Sequence, residues 1–159
     1  MKSTERNTIF SPCRKYRYCL WREWDMIDHS YAAFIGLNPS TADEIRDDPT
    51  VRRCIRYAKK WGFASLCMLN IFAFRATEPH VMREQAGPVG PENDRWIVEC
   101  AENAGIIIAA WGVNGEHMNR GREVMSLLAG KLSCLGKTKN GSPKHPLYVK
   151  ADVMPCKYV

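Results

Sequence analysis

The stretch Gly36-Leu-Asn-Pro-Ser-Thr-Ala-Asp43 follows an apolar run and gathers an amide, two hydroxyls and a carboxylate. Such groups can fix a water molecule or read the donor and acceptor edge of a planar ligand. Gly36 permits close backbone approach, and Pro39 fixes its own φ while holding Asn38 extended. The same residue types also serve turns and helix caps, so a purely structural role for Asn38 stands beside the chemical one. A second polar segment, Lys137 to His145, supplies Lys137, Lys139, Lys144 and His145 in a glycine-containing loop. Asn70, Arg75 and Thr77 follow another apolar run, and Trp111-Gly112 closes a third. Amides that read base edges beside cations that meet phosphate suit a nucleobase or nucleotide. The candidate contacts are Gly36, Pro39, Ser40, Thr41, Asn70, Arg75, Trp111 and Gly112 for the ligand. Arg53, Lys137, Lys139 and Lys144 are the candidates for its phosphate, with a solvated role the alternative for Arg53.

The elements that must position these residues follow from periodicity. Arg14 to Trp24 alternates roughly with period two and is rich in aromatics, which predicts an edge strand. Tyr31 to Gly36 reads as the first central strand. Asp47-Asp48-Pro49-Thr50 is an acidic cap followed by proline at the first helical position. Val51, Cys54, Ile55 and Ala58 then give one apolar stripe, ending near Trp61-Gly62. Ser65 to Phe72 and Gly105 to Trp111 are near-continuous apolar runs, as strands covered on both faces require. A short helix or turn is predicted over about 79–85, and helices over about 91–103 and 117–129, the last turning Val124, Leu127 and Leu128 inward. Leu132 to Leu135 is a last short strand, and residues 147–159 carry no assignment. Strands alternating with helices predict a three-layer α/β/α sandwich with a mostly parallel sheet. The polar loops then share the carboxyl edge of that sheet, where ligands of open α/β folds bind.

The totals fit one domain over residues 1–159, its first 12 residues a frayed polar lead. Hydrophobic content of 45% and charged content of 25% belong to a globular chain. No apolar run approaches the roughly 20 residues of a membrane helix, so no membrane partner and a cytoplasmic location are expected. Seven cysteines without a Cys-x-x-Cys pair, and four scattered histidines, predict reduced thiols and no metal or cofactor. A net charge of +6 is compatible with a polyanionic partner. Gly136-Lys137-Thr138 has the last letters of a phosphate-binding P-loop but neither the earlier glycine nor a following helix. Nothing in the sequence fixes the oligomeric state.

Several segments carry a family resemblance. Gly36 to Asp43, Asp48-Pro-Thr-Val-Arg-Arg-Cys54, Asn70 to Thr77, Pro88-Val-Gly90, Ala110-Trp-Gly112 and His145-Pro-Leu-Tyr-Val149 resemble the DUF1643 family of bacterial and phage proteins. The likeness spans roughly residues 14–150 and implies no activity. More distantly, Gly36-Leu-Asn-Pro39, Ala110-Trp-Gly112 and His145-Pro146 occur in the order found in the uracil-DNA glycosylase superfamily. That resemblance implies an α/β/α sandwich and metal-independent hydrolysis of an N-glycosidic bond. It makes Asn38 the residue that positions the attacking water, and His145 the donor to the base oxygen that gains charge. This chain has an amide where the most active members have a carboxylate, and an amide cannot act as a general base. Asp43 is the replacement base if it faces the cleft. The late loop also departs, reading His-Pro-Leu-Tyr instead of His-Pro-Ser-Pro. The alternatives are a binding module that recognises a modified base without chemistry, and a phage or mobile-element accessory protein acting through protein contacts.

Overall fold

The computed structural model describes residues 6–159; the first part of the proposed frayed lead, residues 1–5, lies outside them. Thirteen short elements follow one another. Strands β1 (Ile9–Phe10), β2 (Arg17–Glu23) and β3 (Tyr31–Gly36) precede helix α1 (Pro49–Lys60) and strand β4 (Ser65–Asn70). Helices α2 (Pro79–Arg83) and α3 (Asn93–Glu102) lead to β5 (Ile106–Ala109), a 3-10 segment (Val113–Asn119) and α4 (Arg120–Leu127). Strand β6 (Leu132–Cys134), a 3-10 turn (Pro146–Tyr148) and β7 (Cys156–Lys157) complete the chain.

The sheet has seven strands in the order β1-β2-β4-β3-β5-β6-β7. Its centre is parallel, with β3 flanked by β4 and β5, and β5 by β6. The β1-β2, β2-β4 and β6-β7 pairings are antiparallel. The sheet is therefore mixed, not mostly parallel as the alternation of strands and helices predicted. The parallel strands need helical crossovers, whereas β1 turns back into β2 through the short connection 11–16, and β7 returns to β6 only after the long stretch 135–155. The aromatic strand β2 is accordingly not an edge: Ile9 and Phe10, inside the segment expected to fray, form the edge strand β1 against it. At the far side, β7 covers β6 within the tail that carried no assignment.

Two cores result from the alternation of side chains across the sheet. Ala32, Phe34, Leu66, Met68 and Ile108 face α1 through Val51, Cys54, Tyr57 and Ala58. Ala33, Ile35, Cys67, Leu69 and Ile107 face the other way, against Met82, Ile97, Cys100, Ala101 and Val124 of α2, α3 and α4. That is the three-layer arrangement the sequence implied. Phe34 joins the sheet to α1, its ring stacked 5.7 Å from that of Trp61 and 6.3 Å from that of Tyr57. The helix expected over 117–129 is interrupted: His117 is extended, and Met118 and Asn119 take positive φ before α4 begins. Leu128 turns inward, but Leu127 is 41% exposed because the shortened helix places it on the outer face. The seven cysteines are all free thiols, with Cys13 and Cys156 exposed and the other five buried. Among the described residues no helix is long and apolar enough to cross a membrane.

Truncating Phe34 removes the ring that stacks between the sheet and α1. Phe34→Ala is expected to cost about 3 to 5 kcal/mol of unfolding free energy in urea melts. A loss below about 1 kcal/mol, outside that range, would mean the aromatic stack contributes little to docking α1.

Candidate functional site

The carboxyl ends of β3, β4 and β5 open into one cleft of about 610 Å³, a size that suits a small organic ligand. The first loop enters it through Gly36, Asn38, Pro39, Ser40 and Thr41, and the second through Asn70, Ala76 and Thr77. Trp111 and Gly112 line it at the end of β5, and Lys144, His145, Leu147 and Tyr148 close it from the late loop. The start of α1, from Asp48 to Val51, forms another wall.

Backbone hydrogen bonds lock these loops together. The amides of Ile71 and Phe72 donate to the carbonyls of Gly36 and Leu37, and Ala76 donates to that of Pro39. Asn38 Nδ2 donates to the Ala76 carbonyl at 2.8 Å and the Pro39 carbonyl at 3.1 Å. The amide nitrogen is thereby occupied as a clamp between the first two loops, and Oδ1 is left as its acceptor. Gly112 has φ +70, a region that favours glycine, and its N–H donates to the Pro143 carbonyl. That bond docks the late loop on the end of β5.

His145 is half-buried, and its Nδ1 accepts the Leu147 N–H at 3.2 Å. An accepting Nδ1 carries no proton, so the neutral ring holds its proton on Nε2. Burial lowers the pKa of His145 from its ordinary value, with the charge of Asp48 acting in the opposite direction. The neutral, Nε2-protonated donor is therefore the form present at pH 7. The Asn70 carbonyl accepts from Asn93 Nδ2, but its own Nδ2 is buried without a partner among the described residues. Arg17, 2% exposed, also lines the cleft. Its Nη1 donates to the Ala42 carbonyl at 3.0 Å, whereas its buried Nε has no partner among the described residues. Burial pulls its pKa down to about 10, partly offset by Asp48, so it stays cationic at neutral pH.

Five of the residues singled out in the sequence lie outside the cleft lining, each with a local reason. Asp43 folds its carboxylate back onto the Ile45 and Arg46 amides, an Asx turn that holds its pKa low. Arg53 donates to the Tyr57 hydroxyl and the Val149 carbonyl, bracing α1 against the tail. Arg75 donates to the Arg14 carbonyl and lies over the Phe10 ring. Lys137 sits over the Tyr158 ring, and Lys139 is exposed on the same loop. The carboxylate that does line the cleft is Asp48, whose Oδ1 caps α1 at the Val51 amide, 2.8 Å away. Trp111 is a core side chain at the cleft wall: Gly115 and Gly121 are bare where it packs, since a Cβ at either would approach the indole to 2.1 or 2.9 Å. Among the described residues, no group of three or more His, Cys, Asp or Glu side chains is arranged to hold a metal ion.

Of the charged residues lining the cleft, sequence reasoning passed over Arg17. Arg17 sits at the first position of a strand, far in sequence from every polar loop. Only because β2 runs antiparallel to β4 does its beginning reach the carboxyl edge. The local letters around it, Tyr16-Arg17-Tyr18, give no sign of that.

The geometry at His145 makes a pH prediction. The unfolded chain takes up the proton near pH 6.5 and the folded chain only at lower pH, so protons favour the unfolded state in that window. The stability contributed by His145 is present above about pH 6.5 and lost as pH falls toward the depressed folded value. Nitrogen-15 spectra of the imidazole should report a pKa below 6.5 and the Nε2–H tautomer at neutral pH. A raised pKa or the Nδ1–H tautomer would contradict this arrangement.

The comparisons with curated proteins and with solved structures returned no match. A family model does match: that of the protein of unknown function DUF1643, over residues 17–147. The match includes β2 with Arg17, all three cleft loops, and the late loop through His145 and Leu147. The chain belongs to the DUF1643 family.

Proposed function

We propose that the cleft recognises a nucleobase carried by a nucleic acid or a nucleotide, and that its chemistry is metal-independent hydrolysis of the N-glycosidic bond. One observation carries this reading. The three segments that resemble the uracil-DNA glycosylase superfamily, at Gly36–Pro39, Trp111–Gly112 and His145, lie apart in sequence yet line one cleft. The uracil-DNA-glycosylase-like identity of the fold belongs to the same proposal, supported by that convergence and by the three-layer arrangement.

In this reading the base enters between the Asn38 loop and the late loop, with Tyr148, 85% exposed, at the mouth as a stacking face. Asn70 Nδ2 donates to a base carbonyl, which ends its isolation. Water, held by Asn38 Oδ1, attacks the anomeric carbon as the bond to the base nitrogen breaks. The electron pair goes to the base, and His145 Nε2–H stabilises the oxygen on which that charge gathers. The proton released by water passes to Asp48, the carboxylate in the lining, which takes the role the sequence offered to Asp43. A second reading, base recognition without turnover, is favoured by one feature: Asp48 already spends one carboxylate oxygen on capping α1.

Oligonucleotides bearing uracil, thymine or hypoxanthine opposite guanine, incubated with chelator and then alkali, discriminate these readings. The hydrolase reading predicts strand breaks at one of these bases, reduced about a hundredfold or more in His145→Ala and abolished in an Asn38→Ala, His145→Ala double variant. Undiminished cleavage by the double variant would overturn the assignment. Salt-sensitive binding without cleavage would select the recognition module. Absence of affinity at every salt concentration would overturn both and favour an accessory protein acting through protein contacts.

A further inference from the structure

We infer that the buried end of the cleft is an oxyanion subsite, built on Arg17, that receives a phosphate or carboxylate carried by the ligand. The inference rests on the base-recognition reading and adds to it a charged group that the ligand must present. Arg17 is among the largest fully buried side chains of the protein, and it is a cation. Burying a guanidinium without a contacting anion is costly, and folded proteins normally pair such a group or bond all its donors. Here, among the described residues, the single bond from Nη1 to the Ala42 carbonyl is accompanied by a bare, buried Nε.

The nearby acids are committed elsewhere. Asp47 accepts from Arg22 Nε at 2.7 Å, Glu44 pairs with Arg14 at 2.6 Å, and Asp43 closes its own turn. Asp48 influences Arg17 through space, but its Oδ1 is held at the α1 cap, and no ion pair within 4 Å joins the two among the described residues. The contrast with Arg120 is informative. That guanidinium is equally buried, yet it contacts the Ile71 carbonyl, Asp94 and Glu123, leaving no orphan nitrogen. Arg120 is a completed structural brace, whereas Arg17 is incomplete and faces a cleft.

The surroundings favour an anion as the missing partner. Arg17 and Lys144 against Asp48 leave the lining with a net formal charge of +1, His145 being neutral. An oxyanion offers several lone pairs in the fork geometry a guanidinium matches, which a neutral base carbonyl does not.

Calorimetry on the full chain tests this with two matched pairs of probes. Uridine against uridine 5′-monophosphate isolates a phosphate; uracil against orotate isolates a carboxylate. Ribose 5-phosphate reports the anion without the base. The wild type is expected to bind the charged member of one pair about tenfold or more tighter, and Arg17→Met should erase that difference while Arg17→Lys keeps part of it. Which pair shows the gap identifies the source of the anion. Should Arg17→Met fail to fold by circular dichroism, the wild-type gap and a ligand-induced shift of the Arg17 Nε–H resonance decide the matter. Equal binding of charged and neutral members overturns the subsite and leaves base recognition standing. Ribose 5-phosphate binding that depends on Arg17, without any effect of the base, supports the subsite and overturns base recognition. No binding of any probe overturns both.

Discussion

The site depends on a close approach between two adjacent strand ends. Gly36 and Asn70 are register partners on the parallel strands β3 and β4, and a Cβ at Gly36 would lie 2.9 Å from Asn70 Oδ1. The absence of a side chain at Gly36 leaves room for the Asn70 amide at the cleft wall. The φ at Gly36 is not in the left-handed region, so the glycine serves this approach, not a turn. Immediately beyond, the chain leaves the sheet, and its carbonyls must find donors or remain unsatisfied in the interior. Asn93 Nδ2 takes those of Asn70 and Ile71 at 2.9 and 3.1 Å, and Arg120 Nε takes that of Ile71 at 2.7 Å. These buried side chains on the α3 and α4 side fix the strand exit from behind, and the cleft opens in front of it.

The cleft itself is assembled from parts that are each anchored separately. Its floor is sheet, its first two loops are cross-bonded through Asn38, Pro39 and Ala76, and α1 is stacked onto Phe34. The late loop is docked from several sides: Gly112 N–H donates to the Pro143 carbonyl, Asn140 Nδ2 to the Glu116 carboxylate, and the Tyr158 hydroxyl to the Gly141 carbonyl. Lys144, Leu147 and Tyr148 are exposed on it. A floor with donors preset and an exposed rim suits a ligand that enters past the rim and is read at the bottom.

Much of this was legible in the chain, and the exceptions share a cause. Asp48-Pro49 announced the start of α1 because caps and proline act through their own backbone neighbours. Gly36, Asn38, Asn70, Trp111 and His145 were readable as cleft residues because parallel strands send their carboxyl ends to one edge whatever the details. Arg17 was not, because its place depends on the antiparallel register of β2 with β4, a long-range pairing that no local pattern encodes. The choice between Asp43 and Asp48 was equally hidden: both lie in one acidic loop, and only the Asx turn at Ile45 and Arg46 removes the first. The two-residue strands β1 and β7 are too short to show a period, so the frayed lead and the unassigned tail concealed both sheet edges. The break before α4 comes from Met118 and Asn119 at positive φ, which an uninterrupted apolar stripe does not reveal.

The central claim is that one cleft at the carboxyl edge holds a base through the Asn38, Asn70 and His145 side chains. Its most direct measurement is a side-chain proton–nitrogen spectrum of the labelled protein titrated with uridine 5′-monophosphate. The account predicts saturable shifts of the Asn38 and Asn70 amide pairs and of the His145 ring, with the Gly112 backbone amide moving alongside them. Saturable shifts confined to other surfaces, such as the polar groove near Glu116, Arg122 and Asn140, would contradict it.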